Sequence, residues 1–329
     1  MAERGSGIPV VVAGLGHVGR AIAKAVLATP ELTLVGALDP KVEGKRLEAV
    51  LGEAAPPVVV AADASRALAA ARGGVLLQAT SSFLADVLPQ IEQAVKAGVA
   101  VASTCEELAY PWLSHEEEAD ALDALCERHE VAVVAAGVNP GFALDRLPAL
   151  LSQATGAVRH LEARRVVDLS RRRPELARKA GVGLTPEQFQ KALDADEIGH
   201  VGLPESAALA ALGSGLELDE VEDDAEAVVA ARDLPAPAAA RKGQVAGIRQ
   251  TARGWFDGRE VVRLELVLAV GAEDPRDEVR IDADPPLRLV VPGGFPGEAA
   301  TAWSMVHAAA ALPTLRGLVT VLDLPSGRS

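Results

Sequence analysis

The sequence predicts an α/β chain: an N-terminal doubly wound parallel sheet, then an α+β domain carrying a mixed or antiparallel sheet. Three observations carry this expectation. Through residues 8–135, short apolar runs alternate with segments of helical periodicity. The first run leads into a glycine-rich turn that opens a helix. Beyond about residue 140, strand-like segments cluster with few helices between them.

Ile8–Ala13 is apolar throughout and only strand-length, the mark of a strand buried on both faces. Residues 18–27 set Val18, Ile22, Ala25 and Val26 on one helical face. Residues 33–38, 58–60 and Val75–Gln78 read as the second, third and fourth strands. A helix at 83–97 stops at Gly98, a fifth strand spans 99–103, a helix 115–129 and a sixth strand 131–135. Continuous apolar strands between helices imply a parallel sheet with right-handed crossovers and helices on both faces. Farther on, 158–167 reads as a longer strand, 185–193 and 206–212 as helices, and 171–179 is strongly basic. Acidic 217–226 and Ala/Pro-rich 235–240 read as surface segments. Arg259–Ala269 alternates apolar and polar residues as an antiparallel strand does, and 279–282 and 287–291 are similar. An apolar helix at 299–311 and a last strand at 318–322 close the chain.

Composition narrows the class. The 329 residues are 49% hydrophobic, enough for a buried core, and carry a formal net charge of −14. So acidic a chain repels phosphate backbones and anionic lipid, which excludes nucleic-acid and membrane-surface partners. No apolar run reaches the ~18–20 residues of a membrane span. Two cysteines, Cys105 and Cys126, make no disulfide framework and suit a reducing cytoplasm. No Cys/His cluster has metal-ligand spacing, so no metal is expected.

Gly14-Leu15-Gly16-His17-Val18-Gly19 follows the first strand and opens the first helix, the context that makes G-x-G-x-x-G a dinucleotide-binding turn. Gly14 permits the tight turn, Gly16 lets backbone approach a pyrophosphate, and Gly19 lets helix and strand pack closely. The helix N-terminus supplies N–H groups and partial positive charge to the phosphates. Asp39, twenty residues past Gly19, ends the second strand where a carboxylate bonds adenosine ribose hydroxyls. A carboxylate there favours NAD over NADP, while Lys41 and Lys45 can offset its charge, so either cofactor fits, with NAD ahead. His17 either covers the pyrophosphate or stands exposed in the first turn. The division expected is a Rossmann domain at 1–140 and an α+β substrate and dimerisation domain at 141–329, with 300–329 able to pack back on the first.

Polar clusters end the later strands, where ligands of open α/β sheets sit. Thr80 and Ser81 can border the nicotinamide ribose or simply cap the next helix. Glu106 and Glu107 face the same crevice; a carboxylate desolvated beside an apolar ring gains a raised pKa and exchanges protons. One of the pair is instead expected to serve a helix N-terminus. Tyr110 and Trp112, rare aromatics in this chain, suit a pocket wall or the core. Asn139 in Gly137-Val138-Asn139-Pro140-Gly141-Phe142 can bond a carbonyl or amide, and Phe142 can flank substrate or nicotinamide. In the second half His200, Arg165 and Asp168 are further candidates. Gly293-Gly294-Phe295-Pro296-Gly297 with Glu298 and Thr301 reads as a turn and helix cap.

Together these segments resemble one family. Ser103-Thr104-Cys105-Glu106-Glu107-Leu108-Ala109-Tyr110-Pro111, Gly137 to Phe142 with Asp145, and the stretches 200–206, 243–250 and 293–306 are similar to those of 2,4-diaminopentanoate dehydrogenases and native amine dehydrogenases. The N-terminal domain also resembles dihydrodipicolinate reductase. The resemblance spans nearly the whole chain. It implies reductive amination of a small ketone or aldehyde with ammonia at the expense of NAD(P)H, and the reverse deamination. It further implies a homodimer, a second domain that closes over the site, and a glutamate, Glu106 ahead of Glu107, that handles protons and holds the ammonium or iminium. Tyr110, Phe142, Arg165, Val167, Asp168 and His200 would line the substrate pocket. His307 stands where the family usually has Asn, and Glu298 where Asp is common. Val167 replaces a polar side chain of some members, which suits an apolar substrate, whereas Arg165 and Arg171 to Arg173 would suit a carboxylate. The other readings are 2,4-diaminopentanoate dehydrogenase proper, a dihydrodipicolinate-reductase-like imine reductase, and a protein that binds NAD without turnover. The Glu106/Glu107 pair argues against the last two.

Overall fold

The computed structural model describes residues 7–170, 172, 174–236 and 239–327; Arg171 and Arg173 of the basic run lie outside them. Strand β1 (Ile8–Ala13) is fully buried over its last four residues. Helix α1 (His17–Leu27) turns Ile22, Ala23, Ala25 and Val26 inward. Then come β2 (Leu32–Leu38), α2 (Leu47–Leu51), α3 (Ser65–Ala70), β3 (Val75–Gln78), α4 (Leu84–Lys96) and β4 (Ala100–Ser103). Helix α5 (Glu116–His129) carries Glu116, Glu117 and Glu118 in its first turn and Arg128 and His129 in its last, matching its macrodipole. Strand β5 (Ala132–Ala135) follows.

Residues 58–60, expected as a strand, form none. Pro56 and Pro57 remove two N–H donors just before them, and the segment bonds instead to the 44–47 turn, with Val59 57% exposed.

The stretch Ala143–Phe295 forms a compact unit of its own. It contains α6 (Arg146–Ser152), β6 (His160–Asp168), α7 (Pro174–Lys179), α8 (Pro186–Asp194), α9 (Leu203–Gly213), β7 (Glu220–Val229), β8 (Val245–Phe256), β9 (Arg259–Ala269), β10 (Arg276–Asp282) and β11 (Leu287–Pro292). The strand order is β11-β10-β6-β9-β8-β7; only β6 and β9 pair parallel, so the sheet is mixed. The acidic segment expected at the surface is edge strand β7. Its Val221, Ala225 and Ala227 pack on the core while Glu222, Asp224 and Glu226 point to water. Phe189, Leu203, Ala207 and Ala210 from the helices cover one face of the sheet against Leu161, Ile248, Leu264 and Val279.

The other face carries charged side chains beside a small apolar cluster of Val166, Val267 and Ala269. Glu278, only 3% exposed, accepts hydrogen bonds from Arg276, Arg280 and Arg288 at 2.8–2.9 Å. Burial alone would raise its pKa, but those three guanidiniums outweigh it and hold the carboxyl down to about 2. The folded value thus lies below the ordinary 4.5, so the stabilisation is complete above that pH and is lost as pH falls toward 2. Glu278→Gln is therefore expected to flatten the pH dependence of thermal unfolding between about pH 4.5 and 2. An acid limb unchanged in that variant would contradict this assignment.

The last segment returns to the first sheet. Helix α10 (Gly297–Ala311) and the short β12 (Gly317–Leu318) belong with the residues up to Phe142 in one compact unit. Of the strand expected at 318–322 only Leu318 and the Val319 N–H reach β5, because 321–323 curl into a turn fixed by Asp323 on the Thr320 main chain and hydroxyl. This sheet is six parallel strands in the order β12-β5-β4-β3-β1-β2, a Rossmann architecture. The chain switches sides between β1 and β3, and ligands of such sheets bind outside the strand ends at the switch.

Candidate active site

The carboxyl ends of β1 and β3 meet at that switch. Gly14 has φ +81°, and a Cβ there would lie 2.3 Å from the Ala79 carbonyl oxygen. A Cβ on Gly19 would sit 1.6 Å from the Gly14 oxygen. Gly16 is different: its φ of −67° suits any residue, and a Cβ would meet nothing within 4 Å. No internal contact requires glycine there, so the open backbone is a cradle that a phosphate group fits and a side chain would fill. Gly16→Val is expected to leave the melting temperature within about 2 °C while weakening dinucleotide binding; undiminished NAD(H) and NADP(H) affinity by fluorescence titration would remove Gly16 from the site.

Asp39 is tied to this loop. Its Oδ2 accepts the Leu15 N–H at 2.8 Å and its Oδ1 the Lys41 N–H at 2.8 Å. The carboxylate thus has a fixed place beside the glycine turn, with the Lys41 side chain exposed. Val18 is half-buried in the first turn of α1. His17 is 58% exposed and its Nε2 lies 3.6 Å from Glu298 Oε2 at the start of α10.

At the end of β3, Thr80 is exposed and Ser81 leads into α4: its hydroxyl donates to Asp86 and accepts the Phe83 N–H. At the end of β4 a buried polar chain fixes the next loop. Gln78 and Ser103, each 1% exposed, bond to each other at 3.0 Å, and Ser103 Oγ accepts the Cys105 N–H. Burial pushes the Cys105 thiol up to about 12, so it stays protonated and donates to the Ser82 carbonyl.

The two glutamates separate here. Glu107 accepts the Leu84 N–H at the start of α4, and the same oxygen lies 3.4 Å from His115 Nε2. Its carboxylate thus sits at a helix start. Glu106 takes a different partner: the Ser82 hydroxyl donates to its Oε1 at 2.8 Å. The Ser82 carbonyl accepts both the Glu106 and Glu107 N–H groups. The partners of Ser82 lie 23–24 residues away, so a hydroxyl in a strand-end loop is all that the sequence shows of this bond.

Tyr110 packs against Trp112 with ring centroids 5.6 Å apart. Asn139 and Phe142 lie in the turn after β5, where Gly141 has φ +119° and a Cβ would come 2.5 Å from the Gly137 nitrogen. The Thr301 hydroxyl oxygen of α10 accepts the Val138 N–H at 3.3 Å. Gly14, Gly16, Asp39, Thr80, Glu106, Tyr110 and Asn139 therefore stand at or just beyond one edge of one sheet.

The four remaining candidates belong to the second unit, and three have structural duties. Arg165 and Asp277 are 4% and 2% exposed and bond bidentately at 2.7 and 2.8 Å. Arg165 also donates to the Phe295 carbonyl, and Asp277 accepts the Phe295 N–H. The Arg165 charge is thus matched inside the protein rather than held for a substrate carboxylate. Val167 packs in the apolar core. Asp168 Oδ1 accepts from the Ser170 N–H and hydroxyl and from the Gly271 N–H, closing a turn. His200 has its main chain held on both sides by Gln250, which accepts the N–H and donates to the carbonyl. Among the described residues no group of His, Cys, Asp and Glu is arranged to hold a metal, and no helix is long and apolar enough to cross a membrane.

The family model for the 2,4-diaminopentanoate dehydrogenase C-terminal domain matches residues 142–329. The chain is 28% identical to the 2,4-diaminopentanoate dehydrogenase of Acetoanaerobium sticklandii, over 98% of this chain and 94% of that protein. It is 28% identical to an amine dehydrogenase of Streptomyces virginiae over 67% of this chain and 62% of that one. Among solved structures, an amine dehydrogenase from Mycobacterium smegmatis superposes with a TM-score of 0.86 at 24% identity, covering 99% of this chain and 98% of that chain. A dihydrodipicolinate reductase from Paenisporosarcina shares the fold at a TM-score of 0.56 and 14% identity, covering 97% of this chain and all of that one.

Proposed function

From the premise that this chain belongs to the 2,4-diaminopentanoate dehydrogenase family, oxidoreductases that act on amines, we propose that it reductively aminates small aliphatic ketones or aldehydes with ammonia and runs the reverse deamination. The observation that carries the reading is the division of labour between Glu106, anchored by the Ser82 hydroxyl, and Glu107, which caps α4.

Glu106 takes a proton from ammonium, and the ammonia released attacks the carbonyl carbon. A proton passes from the added nitrogen to the carbonyl oxygen, the carboxyl returns its own proton to the resulting hydroxyl, and water leaves an iminium cation behind. The carboxylate beside it then stabilises the positive charge. The Ser82 hydrogen bond sets the direction in which Glu106 presents its charge. Bound along the glycine turn, a nicotinamide cofactor supplies hydride exchange with the amine-bearing carbon. Gly16 and the α1 N-terminus would hold its phosphates and Asp39 its ribose, with NAD ahead of NADP because the Asp39 carboxylate is fixed at the turn.

An apolar substrate fits better than an amino acid, since Arg165 is matched by Asp277. The same pairing weighs against an imine reductase of dicarboxylates. The protein would work as a homodimer in a reducing cytoplasm, consistent with Cys105 and Cys126 as free thiols.

The test is reduction of NAD+ and NADP+ with a panel of amines that includes 2,4-diaminopentanoate and simple alkylamines. Turnover with simple amines is expected. Activity confined to 2,4-diaminopentanoate would give the substrate reading to the diamino acid, and no turnover with any amine would end it.

A further inference from the structure

Resting on the reading above, in which a nicotinamide dinucleotide lies along the glycine turn, we propose that His17 and Glu298 form a proton-linked clasp for its pyrophosphate. Glu298 holds the His17 ring at the turn, and cofactor binding draws a proton from solvent onto that ring.

His17 is the first residue of α1 and follows Gly16 directly, so its side chain leaves the main chain beside the open cradle. Glu298 stands in the first turn of α10, within the same compact unit. Helix α10 packs along α1, and Glu298 Oε2 lies 3.6 Å from His17 Nε2. The two side chains are 28% and 58% exposed, so a ligand can reach the pair. A carboxylate in this place opposes a pyrophosphate, and a neutral imidazole does nothing to offset it. An imidazolium reverses the sign. Its Nε2 is turned to Glu298, which leaves Nδ1, the nitrogen nearer the main chain, for a phosphate oxygen. An anion on each side favours the charged ring, and histidine is the side chain that changes charge near neutral pH.

The other charges about the two helices have partners of their own. Helix α1 packs on β1, β2, α2 and α10, and α10 also packs on β3 and β4. None of these four strands carries a titratable side chain. Asp39, just past β2, accepts the Leu15 N–H, and Arg20 of α1 donates its Nε to the Leu15 carbonyl at 2.8 Å. Lys24 pairs with Glu53 at 2.9 Å, and Glu48 of α2 with Arg46 at 3.0 Å. His307 lies nine residues beyond Glu298, ~14 Å farther along α10. Among these groups Glu298 is the one that reaches His17.

The experiment is fluorescence titration of the full chain with NADH, whose own charge is constant between about pH 6 and 9, at several pH values in that range. Wild type is expected to bind roughly tenfold more tightly at the acid end, the factor gained when a neighbouring anion eases protonation by about one pH unit. His17→Gln is expected to bind with one affinity throughout, no tighter than wild type at the alkaline end, and to melt within about 2 °C of wild type because the side chain is exposed. Glu298→Gln should move the midpoint of the pH dependence to lower pH. Adding Glu298→Gln to His17→Gln should tighten binding again, since it removes the carboxylate that His17 no longer offsets. Calorimetry in buffers of different protonation enthalpy should show uptake of part of a proton per NADH bound by wild type near neutral pH, and none by His17→Gln. An affinity independent of pH in wild type, or a pH dependence that survives in His17→Gln, overturns the clasp; an unmoved midpoint in Glu298→Gln overturns the part given to Glu298. Wild type that binds no NADH at any pH overturns the cofactor reading itself.

Discussion

Glu106→Gln is expected to lower ammonia-dependent turnover by roughly 10²–10⁴-fold, the usual contribution of a positioned acid–base group. The amide keeps the size of the side chain and its place as acceptor for Ser82, but it neither takes a proton nor balances an iminium charge. Binding of NAD(H) or NADP(H), which rests on the glycine turn and Asp39, is expected to stay within about twofold. Glu107→Gln should behave in the opposite way. It weakens the start of α4 and the contact with His115, so it is expected to cost stability, about 1 kcal/mol as for a lost helix cap, with turnover largely kept. Steady-state kinetics, cofactor titration and thermal unfolding on both variants read the difference. Full turnover in Glu106→Gln would remove the proposed acid–base group from the account.

The second large effect is on stability. Asp277→Asn leaves the Arg165 guanidinium buried against a neutral amide and is expected to destabilise the second unit by about 3–5 kcal/mol. At roughly 2–4 °C per kcal/mol for a unit of this size, the melting temperature should fall by about 10 °C. Arg165→Met with Asp277→Leu removes both charges and should recover part of the loss, not all, since the Phe295 N–H and carbonyl both lose a partner. A shift under about 2 °C in Asp277→Asn would contradict the buried pair. Either outcome bears on substrate class, because an Arg165 that is not needed for stability would again be available to a carboxylate.

The first unit was legible because its signals are local. Three glycines at fixed spacing after an apolar strand, and an acid at the next strand end, need no distant partner to be read. Arg259–Ala269 was legible for the same reason, as its alternation is written in one stretch. Strand β7 was hidden because successive acids, Glu222, Asp223 and Asp224, mask the small apolar residues that alternate with them. Strand β8 passed unnoticed because Arg249, Gln250, Thr251 and Arg253 interrupt its apolar run; their partners lie on β7 and β9. Residues 58–60 misled in the other direction, since three valines outweighed the prolines before them.

In the site, residue types were legible and duties were not. The sequence places Glu106 and Glu107 side by side, but Ser82 and Leu84, which give them different partners, arrive from the β3 end. Arg165 looked like a free cation because Asp277 lies 112 residues away. For Gly16 the structure adds what the spacing alone does not: among the three glycines of the turn it alone has no neighbour that forbids a side chain.

Amination itself is most directly tested by isotope. The protein is incubated with a small aliphatic ketone, reduced nicotinamide cofactor and ammonium labelled with heavy nitrogen, and the product is weighed by mass spectrometry. The expected result is the amine carrying the label, formed in step with cofactor oxidation and absent when ammonium is omitted. Alcohol as the product, or cofactor oxidation that proceeds equally without ammonium, would contradict an amine dehydrogenase working through Glu106.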